Sequence, residues 1–174
     1  MKVNIPGLHN SDENHWQTLL EKTHPEDFIR INQENWDQPE CNAWINKIER
    51  DLLTKNHLDL ILIGHSIGCI AIVKWVEKFG HAIKGALLVA PSDSENENYP
   101  SYIKGFTPIP KSKLPFPTLV VGSTNDHVTT VERTKEFAAN WGSKLIMLED
   151  AGHIEPKSGF GPWPQVEVLI KELE

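Results

Sequence analysis

Short apolar runs alternate along this chain with stretches in which apolar residues recur every three or four positions. The run at Leu58–Ile63 is nearly continuous in apolar residues, and a stretch of helical period follows at Ile67–Phe79. A nearly continuous apolar run is typical of a strand covered by helices on both faces of a parallel sheet. Alternation of such strands with helices predicts βαβ units, and hence an α/β fold with Leu58–Ile63 at the sheet centre.

The whole chain of 174 residues fits this pattern and has a length that suits one domain, residues 1–174. The predicted strands are Val3–Ile5, Phe28–Ile31, Leu58–Ile63, Gly85–Ala90, Thr118–Val121 and Lys144–Leu148. The predicted helices are Trp16–Lys22, Ala43–Leu53, Ile67–Phe79, Val131–Trp141 and Val166–Leu173. We therefore expect about six mostly parallel strands with helices on both faces.

Turn residues agree with these boundaries. Gly80 and Gly142 each follow a helical stretch, where a left-handed C-cap is common, and Thr129-x-x-Glu132 fits a capping box for the fourth helix. Six of the twelve prolines fall in Pro91–Pro117, which excludes a central strand or a long regular helix there. The segment is interpreted either as a cover over the carboxyl edge of the sheet or as a plain connection.

Composition excludes several classes of function. The formal net charge is −7, and no cluster of Lys and Arg stands out, so nucleic acid is not an expected partner. Cys41 and Cys69 lie far apart and outside any C-x-x-C motif, which argues against a disulfide framework and a thiolate zinc site. No segment approaches the length of a membrane span, and no signal-peptide core opens the chain, so a cytoplasmic location is expected.

The motif that carries chemistry is Gly64-His65-Ser66-Ile67-Gly68, which fits G-x-S-x-G between the predicted central strand and its helix. Chance supplies this motif only about 0.04 times in a chain of such composition. In this context the glycines permit a turn so tight that the strained serine points outward. Ser66 is therefore predicted to be a nucleophile; the alternative is a glycine-flanked helix cap.

The same turn predicts an oxyanion hole. The Ile67 N–H lies at the positive end of the helix, where it can bind the oxygen of a carbonyl attacked by Ser66. A second donor is expected from the loop after the first strand, where Gly7 lets the backbone approach a substrate, and the Leu8 N–H is the candidate. A plain Pro-Gly turn is the alternative for that loop.

A serine needs a base to take its proton, and the base needs an acid to orient it. Asp126 follows the predicted strand Thr118–Val121, and His153 follows Lys144–Leu148, which gives the order serine, acid, histidine. The alternatives left open are His127 as base, and Glu149 or Asp150 as acid. His65 is expected to line the site, whereas the remaining histidines of helices and connections are interpreted as surface or packing residues: His15, His24, His57 and His81.

Other chemistries find no support in the sequence. It contains no H-E-x-x-H, no G-x-x-x-x-G-K-[ST] and no G-x-G-x-x-G motif. Neither a metal nor a cofactor is therefore predicted.

Taken together, these residues resemble the small YdeN-like serine hydrolases, a family of the α/β-hydrolase superfamily that includes the retinoblastoma-binding-protein type. The resemblance covers nearly the whole chain, and the segment Ser158–Pro164 is its most specific part. The residues that carry it are Pro6-Gly7, Ser11, His15-Trp16-Gln17, Trp36, Pro39, Trp44, Gly64–Gly68, Asp126, Gly152-His153 and Ser158–Pro164.

The resemblance implies an α/β-hydrolase-type three-layer sandwich without a large cap domain, with Ser66 as nucleophile, Asp126 as acid and His153 as base. The sequence departs from the family's pattern at His127, which stands where the family often has a proline after the acid. Neither cysteine lies in an L-x-C-x-E motif, so binding of the retinoblastoma protein is not inferred.

The leading hypothesis is a serine hydrolase that cleaves a small carboxylic ester through an acyl-serine intermediate. The alternatives are an aminoacyl amidase or peptidase of the same mechanism, and a catalytically silent protein-binding module on the same fold. His9, His65 and Trp163 are the predicted substrate-binding residues. A small-molecule ester or amide is the expected partner, and the sequence identifies no protein partner.

Overall fold

The six strands form one sheet in which every pairing is parallel, in the computed structural model that describes residues 1–174. The strands are β1 (Lys2–Ile5), β2 (Phe28–Arg30), β3 (Ile61–His65), β4 (Gly85–Val89), β5 (Thr118–Ser123) and β6 (Lys144–Leu148), and their order is β2-β1-β3-β4-β5-β6. The helices are α1 (Trp16–Thr23), α2 (Cys41–Leu52), α3 (Ile67–Phe79), α4 (Val131–Trp141) and α5 (Gln165–Lys171). Short 3₁₀ turns occupy His57–Asp59 and Pro156–Ser158.

Strand β3 lies at the sheet centre, as predicted, but it begins later than its apolar run. Leu58 belongs to the 3₁₀ turn and is 63% exposed, whereas Ile61 is the first residue that pairs with both β1 and β4. The strand also runs two residues further, to His65. Its bounds are set by the reach of the neighbouring strands rather than by hydrophobicity, because a strand in the middle of a sheet extends only where both ladders can form.

The core is divided by the sheet into two layers. A cluster of 29 buried residues packs on one face and includes residues of α2, α3 and α4, such as Trp44, Trp75 and Trp141. A cluster of 16 buried residues packs on the other face and includes Trp16 of α1 and Ile170 of α5. The side chains of β3 and β4 alternate between the two clusters, as a sheet covered on both faces requires.

The helix caps agree with the sequence in two places and differ in one. Gly80 and Gly142 end α3 and α4 in the left-handed conformation, with φ of 69° and 67°. The cap of α4 is Thr130, whose Oγ1 accepts a hydrogen bond from the Arg133 N–H, so the prediction of Thr129 was wrong by one residue. Thr129 is instead buried and donates its hydroxyl proton to the Pro91 carbonyl at 2.8 Å.

The proline-rich segment 91–117 joins β4 to β5 without a regular helix or strand. Part of it, from Ser92 to Ile103, lines a cavity of about 560 Å³ at the carboxyl edge of the sheet. The segment therefore covers one side of that edge. None of the five helices has the length and apolar composition that a bilayer span would need.

Candidate active site

The turn between β3 and α3 holds Ser66 in a strained conformation, with φ of 56° and ψ of −126°. A Cβ on Gly64 would lie 2.9 Å from the Cα of Cys69, and one on Gly68 would overlap the Ile5 carbonyl and lie 2.6 Å from the Pro6 carbonyl oxygen. Because backbone atoms cause these collisions, only glycine fits both positions. The turn thus lifts Ser66 to the carboxyl edge of the sheet.

The first loop of the chain lies directly against this turn. A Cβ on Gly7 would lie 2.8 Å from the Cβ of Ser66 and 3.0 Å from the His65 carbonyl oxygen. The next residue, Leu8, lines the same cavity as Ser66, and its N–H donates no hydrogen bond within the protein. Glycine at position 7 is therefore what lets this backbone approach the serine.

Ser66, His153 and Asp126 form a continuous hydrogen-bonded chain. The Oγ of Ser66 lies 2.9 Å from Nε2 of His153, and Nδ1 of His153 lies 3.0 and 2.9 Å from the two carboxylate oxygens of Asp126. The side chains of His153 and Asp126 are only 8% and 3% exposed. A carboxylate oxygen can only accept, so Nδ1 carries the proton and Nε2 is free to accept from the serine hydroxyl.

The loops that carry Asp126 and His153 are hydrogen-bonded to each other. The Gly152 N–H donates to Oδ1 of Asn125 at 2.6 Å, and the Ala151 N–H donates to Oγ of Ser123 at 3.0 Å. The carboxylate of Asp126 in turn accepts the Val128 N–H at 2.8 Å. These bonds fix the carboxylate and the imidazole relative to each other before any substrate arrives.

Two side chains of neighbouring elements hold the backbone around His153. His65 donates its Nε2 proton to the His153 carbonyl at 2.9 Å, and Trp16 donates its indole N–H to the Ile154 carbonyl at 3.0 Å. Burial keeps the pKa of His65 well below its usual value, and burial also lowers the pKa of His15 to about 4. Both rings are therefore neutral at neutral pH and place no charge beside His153.

The cavity over Ser66 has a volume of about 560 Å³ and a mainly polar lining. Only four of its lining residues are hydrophobic, and the remainder include imidazoles, carboxamides and hydroxyls. The polar lining consists of His9, Asn10, His15, His65, Ser66, Ser92, Asn96, Asn98, Tyr99, His127, His153, Glu155 and Lys157. Such a lining suits a small substrate with its own polar groups.

The residues predicted for substrate binding are not all brought together. His9 and His65 line the cavity, whereas Trp163 does not. Its ring centroid lies 5.4 Å from that of Trp16, in the core cluster of 16 residues that also includes Ile170 of α5. The aromatic, proline-flanked sequence around Trp163 is explained by this packing. Ile67 is also buried in the core, with only its backbone N–H available at the first turn of α3.

The alternatives for acid and base occupy other positions. His127 lines the cavity, with its ring centroid 5.6 Å from that of His153, but it makes no hydrogen bond to Ser66. The side chains of Glu149 and Asp150 are exposed and do not contact the His153 ring nitrogens. Nowhere does the structure gather three or more His, Cys, Asp or Glu side chains in a way that could hold a metal ion.

Sequence reasoning missed two residues at the serine. Ser92 lies with its Oγ 2.8 Å from that of Ser66, and His15, interpreted as a packing or surface residue, lines the cavity with its Nε2 unpaired. Ser92 follows the carboxyl end of β4, the same kind of position that identified Asp126 and His153. Applying that rule to every strand would have found it.

Comparisons with known proteins agree on one family. The model of the serine hydrolase family matches residues 2–172. The protein YdeN of Bacillus subtilis is 25% identical over 171 residues, which cover 93% of this chain and 90% of YdeN. A YdeN-like hydrolase of Pectobacterium atrosepticum is 34% identical, with a TM-score of 0.86 over 99% of this chain and 89% of the other.

A more distant likeness extends to esterases. The esterase RhEst1 of Rhodococcus superimposes with a TM-score of 0.70 over 99% of this chain and 90% of its own, at 15% identity. At that identity the likeness establishes the α/β-hydrolase fold alone. As expected, no large cap domain stands over the site.

Proposed function

Because this chain belongs to the serine hydrolase family, we propose that it hydrolyses small carboxylic esters through an acyl-serine intermediate. The observation that carries the proposal is the hydrogen-bonded chain from Ser66 through His153 to Asp126. In this proposal the serine is the nucleophile, the imidazole is the base and the carboxylate orients the base.

The acylation step follows from the direction of these bonds. As the oxygen of Ser66 bonds to the acyl carbon, its proton moves to Nε2 of His153, and the π electrons of the carbonyl move to its oxygen. Asp126 stabilises the imidazolium that forms. Collapse of the tetrahedral intermediate returns the π bond, breaks the ester bond and transfers the proton from Nε2 to the leaving alcohol.

Two backbone amides are proposed to bind the oxyanion. The Ile67 N–H lies at the start of α3, where the helix dipole favours negative charge, and the Leu8 N–H has no partner in the protein. Both N–H groups are held in place by the backbone before the reaction, so they stabilise the developing negative charge without reorganisation. Deacylation repeats the sequence with water, which gives up a proton to His153 as it attacks the acyl carbon.

The size and polarity of the cavity support small esters over long-chain lipids. A volume of about 560 Å³ with four hydrophobic lining residues offers little apolar surface to an acyl tail. Each buried methylene of a tail would contribute about 0.8 kcal/mol in an apolar pocket, and a polar lining forfeits much of that. His9 and His65 are proposed to contact the substrate there.

Steady-state hydrolysis of p-nitrophenyl esters tests this function. We predict turnover of the acetate and butyrate esters with kcat/KM at least about 10-fold above that of the decanoate, and loss of about 10⁴–10⁶ in kcat for Ser66→Ala. Ser143→Ala serves as the control and should retain the wild-type rate, because Ser143 directly precedes β6 at the amino ends of the strands, away from the cavity. Hydrolysis by Ser66→Ala at the wild-type rate would contradict the assignment of Ser66 as nucleophile. Faster cleavage of p-nitroacetanilide than of the acetate ester by the wild-type protein would favour an amidase.

We propose further that residues 1–174 act as one domain, since all six strands share one sheet and the site draws on the loops after β1, β3, β4, β5 and β6. Removal of any one of these loops would open the cavity.

A further inference from the structure

A second serine contacts the proposed nucleophile inside the protein. The Oγ atoms of Ser66 and Ser92 are 2.8 Å apart, and Ser92 is only 1% exposed. The contact lies within the proposed site but outside the three residues of its relay. Its meaning depends on which of the two hydroxyls donates the hydrogen bond.

Counting protons fixes the donor. The carboxylate of Asp126 can only accept, so Nδ1 of His153 donates to it, and Nε2, as the base of the proposed relay, accepts. The single hydroxyl proton of Ser66 is therefore used at Nε2. The remaining bond, between Ser66 and Ser92, can form only if Ser92 donates its proton to the Ser66 oxygen.

Ser92 is held in place for this role by its own backbone. Its N–H donates to the Ser66 carbonyl at 3.4 Å, so the two residues are joined at the main chain as well as at the side chain. On either side, Thr129 donates its hydroxyl proton to the Pro91 carbonyl and accepts the Asp93 N–H at 3.0 Å. The hydroxyl of Ser92 is thus aimed at Ser66 by fixed neighbours rather than by chance.

Tyr99 and Ser92 line the same cavity. Burial raises the pKa of the Tyr99 phenol to about 12, so its side chain places no negative charge in the cavity at neutral pH.

We propose that Ser92 is a further catalytic residue, which donates a hydrogen bond to the nucleophilic oxygen of Ser66. The inference rests on the proposed function. In the resting protein the bond holds Ser66 in the rotamer that faces His153. During attack it stabilises the partial negative charge that the oxygen carries after its proton has begun to move and before its bond to carbon is complete. Ser92 keeps its own proton throughout.

The rate of reaction with a fluorophosphonate tests this proposal, since it measures attack by Ser66 alone. In that step the Ser66 oxygen bonds to phosphorus, fluoride leaves and the serine proton passes to His153. We predict that Ser92→Ala lowers the second-order rate constant about 10- to 100-fold, the loss expected for one hydrogen bond to a charged oxygen. Urea denaturation of each variant shows whether its fold is intact.

The matched control is Ser94→Ala. Ser94 is also buried and lies on the same loop, but its hydroxyl donates to the Phe106 carbonyl at 3.2 Å and does not reach Ser66. The second-order rate constant of Ser94→Ala with the fluorophosphonate should stay within about 2-fold of that of the wild-type protein. A wild-type rate for Ser92→Ala overturns the proposal and leaves the proposed function standing, and equal losses in both variants overturn it as a general disturbance of the loop. Wild-type protein that does not react at all overturns both.

Discussion

At the scale of single residues, the site depends on which atoms carry protons. His153 accepts at Nε2 only because Asp126 holds its other nitrogen as the donor, at 2.9 and 3.0 Å. The carboxylate also accepts the Val128 N–H, so its orientation does not depend on the histidine alone. In the proposed relay, Asp126 therefore sets the tautomer of His153, and through it the direction of the hydrogen bonds at Ser66 and Ser92.

Asp126→Asn tests that role. The carboxamide keeps the size of the side chain but can donate to Nδ1, which favours the tautomer with its proton on Nε2, so we predict a fall in kcat of about 10⁴. Asp150→Asn is the control, because its exposed side chain was the alternative acid and makes no hydrogen bond to His153. Hydrolysis of p-nitrophenyl acetate measures both; similar losses in the two variants would contradict the assignment of the acid.

The residue scale also shows what a sequence can and cannot predict. The position of Ser66 at a tight turn could be predicted because the turn leaves a pattern of glycines, each required by a backbone contact. The place of Ser92 after β4 marks it only as a residue near the site, because its 2.8 Å contact with Ser66 joins residues 26 positions apart and leaves no local motif. Trp163 misled for a related reason: a tryptophan among glycines and prolines can face a cavity or a core, and only packing decides.

At the scale of elements, the strand–turn–helix unit of β3 and α3 positions the serine. The carbonyls of Ile5 and Pro6, at the end of β1, lie against Gly68, so helix and strand approach more closely than any side chain would allow. This close packing fixes where the first turn of α3 begins and hence where the Ile67 N–H points. The unit acts as one rigid support for the proposed nucleophile and the proposed oxyanion donor.

Gly68→Ala should disturb this unit more than a glycine change elsewhere. Its Cβ would overlap backbone that cannot move without shifting β1, so we predict a loss of about 2–4 kcal/mol in the free energy of unfolding, together with a loss of activity. Gly80→Ala is the control: it has φ of 69° but nothing within 4 Å of the added atom, so its cost should be about 1 kcal/mol. Urea denaturation compares them, and equal costs would contradict close packing as the reason for glycine at position 68.

Element boundaries were predicted best where a local signal ends the element. The G-x-S-x-G turn predicted the start of α3, and the left-handed Gly80 predicted its end. Gly142 predicted the end of α4 in the same way. The start of β3 was missed because Leu58 is apolar yet lies outside the ladder, where pairing with two neighbours decides. Local sequence carries no record of where the partner strands begin.

At the scale of the whole molecule, the site is assembled from loops at one edge of a parallel sheet. The proposed nucleophile Ser66 follows β3, Ser92 follows β4, Asp126 follows β5 and His153 follows β6, so four consecutive strands of the sheet each contribute one side chain. Parallel strands bring their carboxyl ends to the same edge, where ligands bind in open α/β sheets. The fold therefore brings together residues up to 87 positions apart without any long-range signal in the sequence.

The most direct test of this assembly is the site of covalent modification by a fluorophosphonate, read by mass spectrometry of the digested protein. We predict one adduct per molecule, on the peptide that contains Ser66, and a reaction at least about 10³-fold slower in His153→Ala. An adduct on another residue, no adduct on folded protein, or a loss in His127→Ala as large as that in His153→Ala would contradict the account.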